Sequence, residues 1–163
     1  MEEQQFTPGN GCSVVGSSGN LLDNEYGIAI DTNDDVIRFN GAKTTSFEKH
    51  CGARTTFRLM NCHSILNLEN SAYYAQQKER HPQLDRELLY KIEDEIIIFI
   101  GLLMALKYYS SIDCYGFSFY EPDVKKHYFD EVNNYNMTAG HDFDNEKKIF
   151  ALFEKSGIIN IHV

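Results

Sequence analysis

The sequence predicts an α/β fold, a mainly parallel sheet flanked by helices, and two observations carry that expectation. Cys12-Ser13-Val14-Val15, Asp35–Phe39 and Thr55–Met60 are short runs of strand character. They end in Gly16-Ser17-Ser18-Gly19, Asn40-Gly41 and Asn61, all small or polar. Further on, apolar residues recur at helical spacing after Pro82 and from Asn145 to Ser156, with a strand-like stretch, Ile112–Phe117, between them. In an open α/β sheet, ligands sit outside the carboxyl ends of the strands, so the polar strand ends define a candidate rim.

Taken in order, residues 1–11 are polar, include Pro8-Gly9-Asn10-Gly11, and read as a lead-in segment. Residues 12–163 read as one domain, long enough for one full core and not for two. After the first strand, a loop without bulky side chains lets backbone N–H groups approach a nucleotide or phosphate. Asp23 is placed to cap a short helix through Ile30, with Tyr26, Ile28 and Ile30 partly buried. Residues 31–34 form a turn before the second strand, and 44–50 a helical turn or loop. From Cys62 to Arg80 the pattern is weak, although 72–79 suits a helix. Pro82 then opens a long helix with Leu84, Leu88, Ile92, Ile96, Phe99 and Leu103 along one face. A strand over Ile96–Ile100 is the competing reading of that β-branched run. Tyr120–Lys126 is a loop, His127–Asp130 follows, and an Asn-rich link precedes the last helix. Gly157 stops that helix, and Ile158–Val163 is a final strand.

Composition excludes several function classes. The net charge of −9 and the lack of a basic patch argue against nucleic-acid binding. The longest apolar run, Ile96–Leu106, is about half the length needed to span a bilayer. Met1–Gln5 is acidic and polar, unlike a secretory signal. The four cysteines lack metal spacing; their number permits disulfides and requires none, and buried free thiols are an equal reading. Asp34, Asp35, Asp142 and Asp144 read as solvated turn residues rather than metal ligands. His50, His63, His81 and His162 carry no motif and read as structural or surface residues.

The stretches CSVVGSSGNL, YGIAIDTNDDVIRFNGAKT and FEKHCGARTTFRLMN resemble the large sialylmotif of the animal-type sialyltransferases. RFNGA and RLMN share the wording of the β-galactoside α-2,6 branch. Three shorter pieces follow in the family's order. Gly101–Leu106 with Cys114–Phe117 resembles the small motif, His127–Asp130 the third, and His141 with Glu146 the very small motif.

That resemblance implies a three-layer, Rossmann-like (GT-A-variant-like) nucleotide-binding fold. It implies transfer of sialic acid from CMP-sialic acid to a glycan hydroxyl, that of a galactoside in the family's pattern, with inversion and without metal or other cofactor. The implied partners are a CMP-sugar donor and a glycan acceptor. The implied compartment is the Golgi lumen, where the Asn136-Met137-Thr138 sequon would matter, although no signal or anchor opens this chain. An inverting transfer needs a base at the acceptor hydroxyl, and neutral imidazole, with a pKa of about 6.5, suits that task. The resemblance gives this role to His141, with Glu146 anchoring the helix entry. It makes His127 the hydrogen-bond donor to the departing phosphate. Ser17, Asn20, Asn40, Asn61 and Gly101 are the implied donor-binding residues, and Cys12–Cys114 the implied disulfide.

The chain departs from the family in two places. Ile98-Phe99-Ile100 replaces the hydroxyl-bearing start of the small motif, and the stretch between Asn61 and Gly101 is shorter. A CMP-binding relative that is weakly active or inactive and serves as an interaction module is therefore the alternative. A dehydrogenase-like protein is a third, opposed by the absence of the three-glycine fingerprint.

Overall fold

The computed structural model describes residues 7–61, 88–92, 97–119, 123–129 and 143–163, with backbone alone at 61, 88–92 and 143. In chain order the elements are β1 (Gly11–Val15), a 3-10 turn (Gly19–Asp23), α1 (Gly27–Thr32), β2 (Asp35–Phe39), α2 (Glu48–Cys51) and β3 (Phe57–Asn61). They continue with β4 (Leu88–Ile92), α3 (Ile97–Tyr108), β5 (Ser111–Tyr115), α4 (Phe143–Lys155) and β6 (Asn160–His162). The described strands form one sheet in the order β4-β3-β2-β1-β5-β6, and every neighbouring pair is parallel.

Helices cover both faces of this sheet, which explains why β1 and β2 are buried at every position. On one face Val14, Ile37, Phe39 and Leu59 pack with Leu102 and Ala105 of α3 and Phe150 of α4. On the other, Val15, Val36 and Tyr115 meet Leu21, Ile30, Cys51 and Tyr128. The expected three-layer α/β architecture is therefore present.

Two buried arginines fix the loops that follow the central strands. Arg38, fully buried in β2, donates from Nε and Nη2 to the Arg54 carbonyl (3.0 and 2.8 Å) and from Nη2 to the Cys51 carbonyl (2.7 Å). Its Nη1 is buried without a hydrogen-bond partner. Burial lowers the Arg38 pKa, yet a guanidinium keeps its charge in proteins. Arg58 donates from Nη1 to the carbonyls of Asn40 and Ala42, each at 2.9 Å. These bonds hold the chain where it leaves β2.

Several expectations need correction. The long helix after Pro82 is interrupted: Leu88–Ile92 is β4, paired with β3, and the described helix spans Ile97–Tyr108. Leu88 and Ile92 are four residues apart, which is close to one helical turn and also an even number of strand steps. That spacing cannot separate the two periods, and pairing with β3 decides. The competing strand over Ile96–Ile100 is also absent from its described part, since 97–100 are helical. Asp23 ends a 3-10 turn and α1 begins at Gly27, so Asp23 caps no helix. Ile28 is 85% exposed while Ile30 is buried, because residues two apart lie on opposite sides of a helix.

The implied Cys12–Cys114 bridge is not formed; both thiols are free and buried. The register sets Cys12 opposite Ile112 and Cys114 opposite Val14. A stagger of two residues on adjacent strands, about 4.8 Å across and about 6.6 Å along, separates the Cα atoms by about 8 Å. A disulfide tolerates no more than about 7 Å. Burial pushes the Cys114 thiol up to about 12 and raises Cys12 further, so both remain protonated at neutral pH.

Candidate functional site

The strand order reverses at β1. The chain proceeds through β2 and β3 to β4 at one edge, then returns to place β5 on the other side of β1. The crevice at the carboxyl ends of β1 and β5 is the topological switch point, where such sheets bind ligands. A cleft with about 450 Å³ of empty space, part of it open to solvent, lies there.

Two loops line it, one after β1 and one after β5. Gly16 N–H donates to the Tyr115 carbonyl (2.8 Å) and Ser18 N–H to the Gly116 carbonyl (3.1 Å), carrying the β1–β5 pairing past the strand ends. A Cβ on Gly16 would lie 2.4 Å from the Gly116 oxygen, so the two loops can abut only with glycine there. Directly above, the Ser18 hydroxyl donates to the Ser118 hydroxyl at 2.7 Å. Phe119 forms the next part of the wall with φ of 48°, a left-handed conformation that costs a bulky residue about 1–2 kcal/mol. Its ring packs edge-on to Phe150, 5.1 Å between centroids.

Helices that cross back over a parallel sheet start at the carboxyl rim. Ile98 in the first turn of α3 and Glu146 in the first turn of α4 both line the cleft. The positive ends of two helices thus converge on it. Lys126 lines it as well. Lys126 belongs to a segment tied down by Gly19 N–H to the Lys125 carbonyl (2.7 Å) and Tyr128 N–H to the Ser17 carbonyl (2.9 Å). Tyr128 anchors this segment: it is buried, its hydroxyl donates to the Lys43 carbonyl, and its ring meets Phe47 edge-on. Burial raises its pKa, so the phenol stays protonated and can donate.

The sequence-predicted residues are placed as follows. Ser17 lines the cleft and is half-buried. Val15 pairs with Arg38 and Phe39 with Leu59, so Ser17, Asn40 and Asn61 stand at or just past the carboxyl ends of three adjacent strands. Asn40 has φ of 46°, donates its N–H to the Leu59 carbonyl (2.8 Å), and is held there by Arg58. Asn20 lies in the 3-10 turn, and its Oδ1 is buried without a hydrogen-bond partner. His127 is half-buried with its ring parallel to that of Phe129, 5.1 Å between centroids. It directly precedes Tyr128, whose N–H holds the segment to Ser17. His141 lies outside the described residues, two positions before α4. Gly101 sits in the second turn of α3, buried under the Phe39 ring, which a Cβ would approach to 2.6 Å. Close packing thus accounts for this glycine without a ligand.

Sequence reasoning missed Ser18, Ser118 and Lys126 and gave Glu146 only an anchoring role. Phe117-Ser118 follows Gly116 just as Ser17-Ser18 follows Gly16, and that likeness between two strand ends was the available signal. Other polar residues serve the fold. Asp34 Oδ2 accepts from the Gly11 and Asn10 N–H groups, which lowers its pKa, and Asp35 accepts from Gly9 N–H and the Tyr109 hydroxyl. Both lie at the amino end of β2, away from the cleft. His50 donates from Nδ1 to the Asn24 carbonyl (2.7 Å), and His162 bonds Asp113 (2.9 Å) while stacking on Tyr115. Among the described residues no group of three or more His, Cys, Asp or Glu is arranged around a common metal position, and no helix is long and apolar enough to cross a membrane.

Comparison with known proteins fits this geometry. The chain is 28% identical over 176 residues to Sialyltransferase-like protein 2 of Arabidopsis thaliana, covering 93% of this chain and 39% of that protein. It is 48% identical over 54 residues to human Beta-galactoside alpha-2,6-sialyltransferase 1, covering 33% of this chain and 13% of the relative. The chain thus spans well under half the length of these curated relatives. In three dimensions it resembles a solved mammalian sialyltransferase with a TM-score of 0.62 at 19% identity, covering 99% of this chain and 71% of the other, a likeness of fold. Residues 1–99 and 98–158 match glycosyltransferase family 29 (sialyltransferase). The match takes in nearly the whole chain, and this chain belongs to that family.

Proposed function

We propose that this chain forms the donor-binding core of a glycosyltransferase that moves sialic acid from CMP-sialic acid to a glycan hydroxyl, with a galactoside as acceptor. The observation that carries the reading is the cleft at the β1–β5 switch point, lined by the Ser17 loop, the start of α4 and Lys126, whose segment is bonded to the Ser17 carbonyl through Tyr128 N–H. Hydroxyls and two helix starts suit a phosphate, and asparagines on the same rim suit ribose or cytosine edges, since each amide both donates and accepts.

In the proposed mechanism, Asn40 and Asn61 hold the nucleotide along the rim, and Ser17 and Asn20 receive it on the loop after β1. His127 donates to the phosphate as negative charge builds during bond cleavage. His141 accepts the proton of the attacking hydroxyl, which enters from the face opposite the departing CMP and inverts the anomeric centre. No step calls for a metal. Golgi residence is part of the same proposal.

Ile98 in the cleft wall favours one second reading, a relative that binds CMP and turns over slowly or not at all. Calorimetry with CMP, followed by transfer or hydrolysis assays with CMP-sialic acid, separates the two. Binding with turnover supports transfer. Binding without turnover selects the second reading, and no binding at millimolar CMP removes both. Replacing His141 by Ala should cut turnover at least about 100-fold while leaving CMP affinity within twofold; full turnover in that variant would exclude His141 as base.

A further inference from the structure

We propose that the Ser118 hydroxyl, held by Ser18, donates a hydrogen bond to the phosphate of a nucleotide in the cleft. The inference rests on the donor reading above and adds a ligand-binding residue that the sequence pattern did not single out.

Two serine hydroxyls carry two hydrogens, and one is consumed in the 2.7 Å bond from Ser18 to Ser118. With Ser18 as the donor, the hydrogen left over belongs to Ser118. Both serines line the cleft, but Ser18 is only 6% exposed, whereas Ser118 is half-buried. The remaining O–H therefore sits on the more accessible of the two residues. A hydroxyl that already accepts a hydrogen bond is also a stronger donor, because chains of hydrogen bonds polarise one another.

Location adds a second argument. Ser18 follows β1 and Ser118 follows β5, so their bond spans the switch point between the starts of α3 and α4. Among the described residues, the charged side chains lining the cleft are Lys126 and Glu146, which have opposite signs. At the start of α3, Ile98 contributes only hydrocarbon. Neutral donors add to what Lys126 and the helix starts offer an anion there, and Ser118 carries a hydroxyl in that lining. The chemistry selected is a phosphate oxygen, which forms short, charge-assisted O–H···O bonds.

Calorimetric titration of CMP, cytidine and inorganic phosphate into the wild type, Ser118→Ala and Ser118→Thr tests the proposal. A hydrogen bond to a charged oxygen is worth about tenfold in affinity. Ser118→Ala should weaken CMP binding about tenfold and leave cytidine unchanged, while Ser118→Thr stays within about twofold of wild type because it keeps the hydroxyl. Unchanged CMP affinity in Ser118→Ala, or an equal loss for cytidine, overturns the role of Ser118. If the wild type binds neither CMP nor cytidine, the donor reading fails, and phosphate alone decides on Ser118. Phosphate binding that Ser118→Ala abolishes supports the residue; equal binding, or none in the wild type, overturns it.

Discussion

Gly101→Ala separates a packing glycine from a ligand-contacting one. Gly101 is buried in α3, and a methyl group there would lie 2.6 Å from Cε1 and Cζ of Phe39 and 3.7 Å from Cγ2 of Ile37. Phe39 is 5% exposed and abuts Phe117, so its ring has little room to retreat. Overpacking of this kind costs about 1–3 kcal/mol. Alanine in place of glycine in a helix returns about 1 kcal/mol. The net expectation is a loss near 1 kcal/mol, or about 2–4 °C in Tm for a chain of this size. Shortening the ring should relieve the clash, so Phe39→Leu and Gly101→Ala together should cost less than the sum of the single changes, by about 1 kcal/mol or more. Urea denaturation of the four proteins measures this coupling. Additive effects, or a Gly101→Ala variant more stable than wild type, would refute the packing argument. A loss of CMP affinity that persists when the double variant regains stability would return Gly101 to the binding residues.

Other expectations follow from single contacts. Asn40→Gly should fold as stably as wild type, because glycine accepts φ of 46°, whereas Asn40→Ala should lose about 1 kcal/mol; if the side chain holds the nucleotide, both lose CMP affinity by calorimetry. Arg58→Met leaves the Asn40 and Ala42 carbonyls without this donor, so thermal denaturation should show a loss of about 2–4 kcal/mol. Asp113 is pushed up by partial burial, but hydrogen bonds from His162, Asn33 and Asn160 outweigh that and hold its carboxyl below the usual carboxylate range. Its stabilisation is complete above the unfolded carboxyl pKa and is lost as pH falls through the folded value. Asp113→Asn should therefore flatten the stability profile below about pH 4, and an unchanged acid limb in urea titrations would exclude this residue as its source. Mass spectrometry of unreduced folded protein should find Cys12 and Cys114 as thiols and slow to alkylate; a peptide joined through the two would contradict the strand register.

Much of the central sheet was legible because parallel strands buried on both faces carry continuous apolar runs. Asp35–Phe39 is a strand at the residues expected, and the first and third strands differ from expectation only at their ends. The rim was legible for the same reason, since each of these strands stops at a glycine, serine or asparagine. β4 was not, because Leu88 and Ile92 satisfy both repeat lengths and only the neighbouring strand distinguishes them. Gly101 matched a binding motif, but its neighbour is Phe39, a contact between distant segments. Ser118 enters the cleft because β5 lies against β1; the likeness of the two strand ends hinted at a shared role, but only the sheet order brings them together. The cysteine pairing failed through register, a stagger of two residues that a motif comparison cannot see.

The placement of β5 beside β1 has a consequence for how the polypeptide is made. Gly11 finds its partner at Ser111, one hundred positions later, as Ser18 does at Ser118. At translation rates of about 5–20 residues per second, that partner emerges some 5–20 seconds afterwards. Throughout that interval the nascent Cys12–Val15 segment has an open hydrogen-bonding edge flanked by apolar side chains, which is the form most prone to pair with another chain. Holdase chaperones that mask such edges should therefore govern the yield of soluble protein more strongly than any change in the finished cleft.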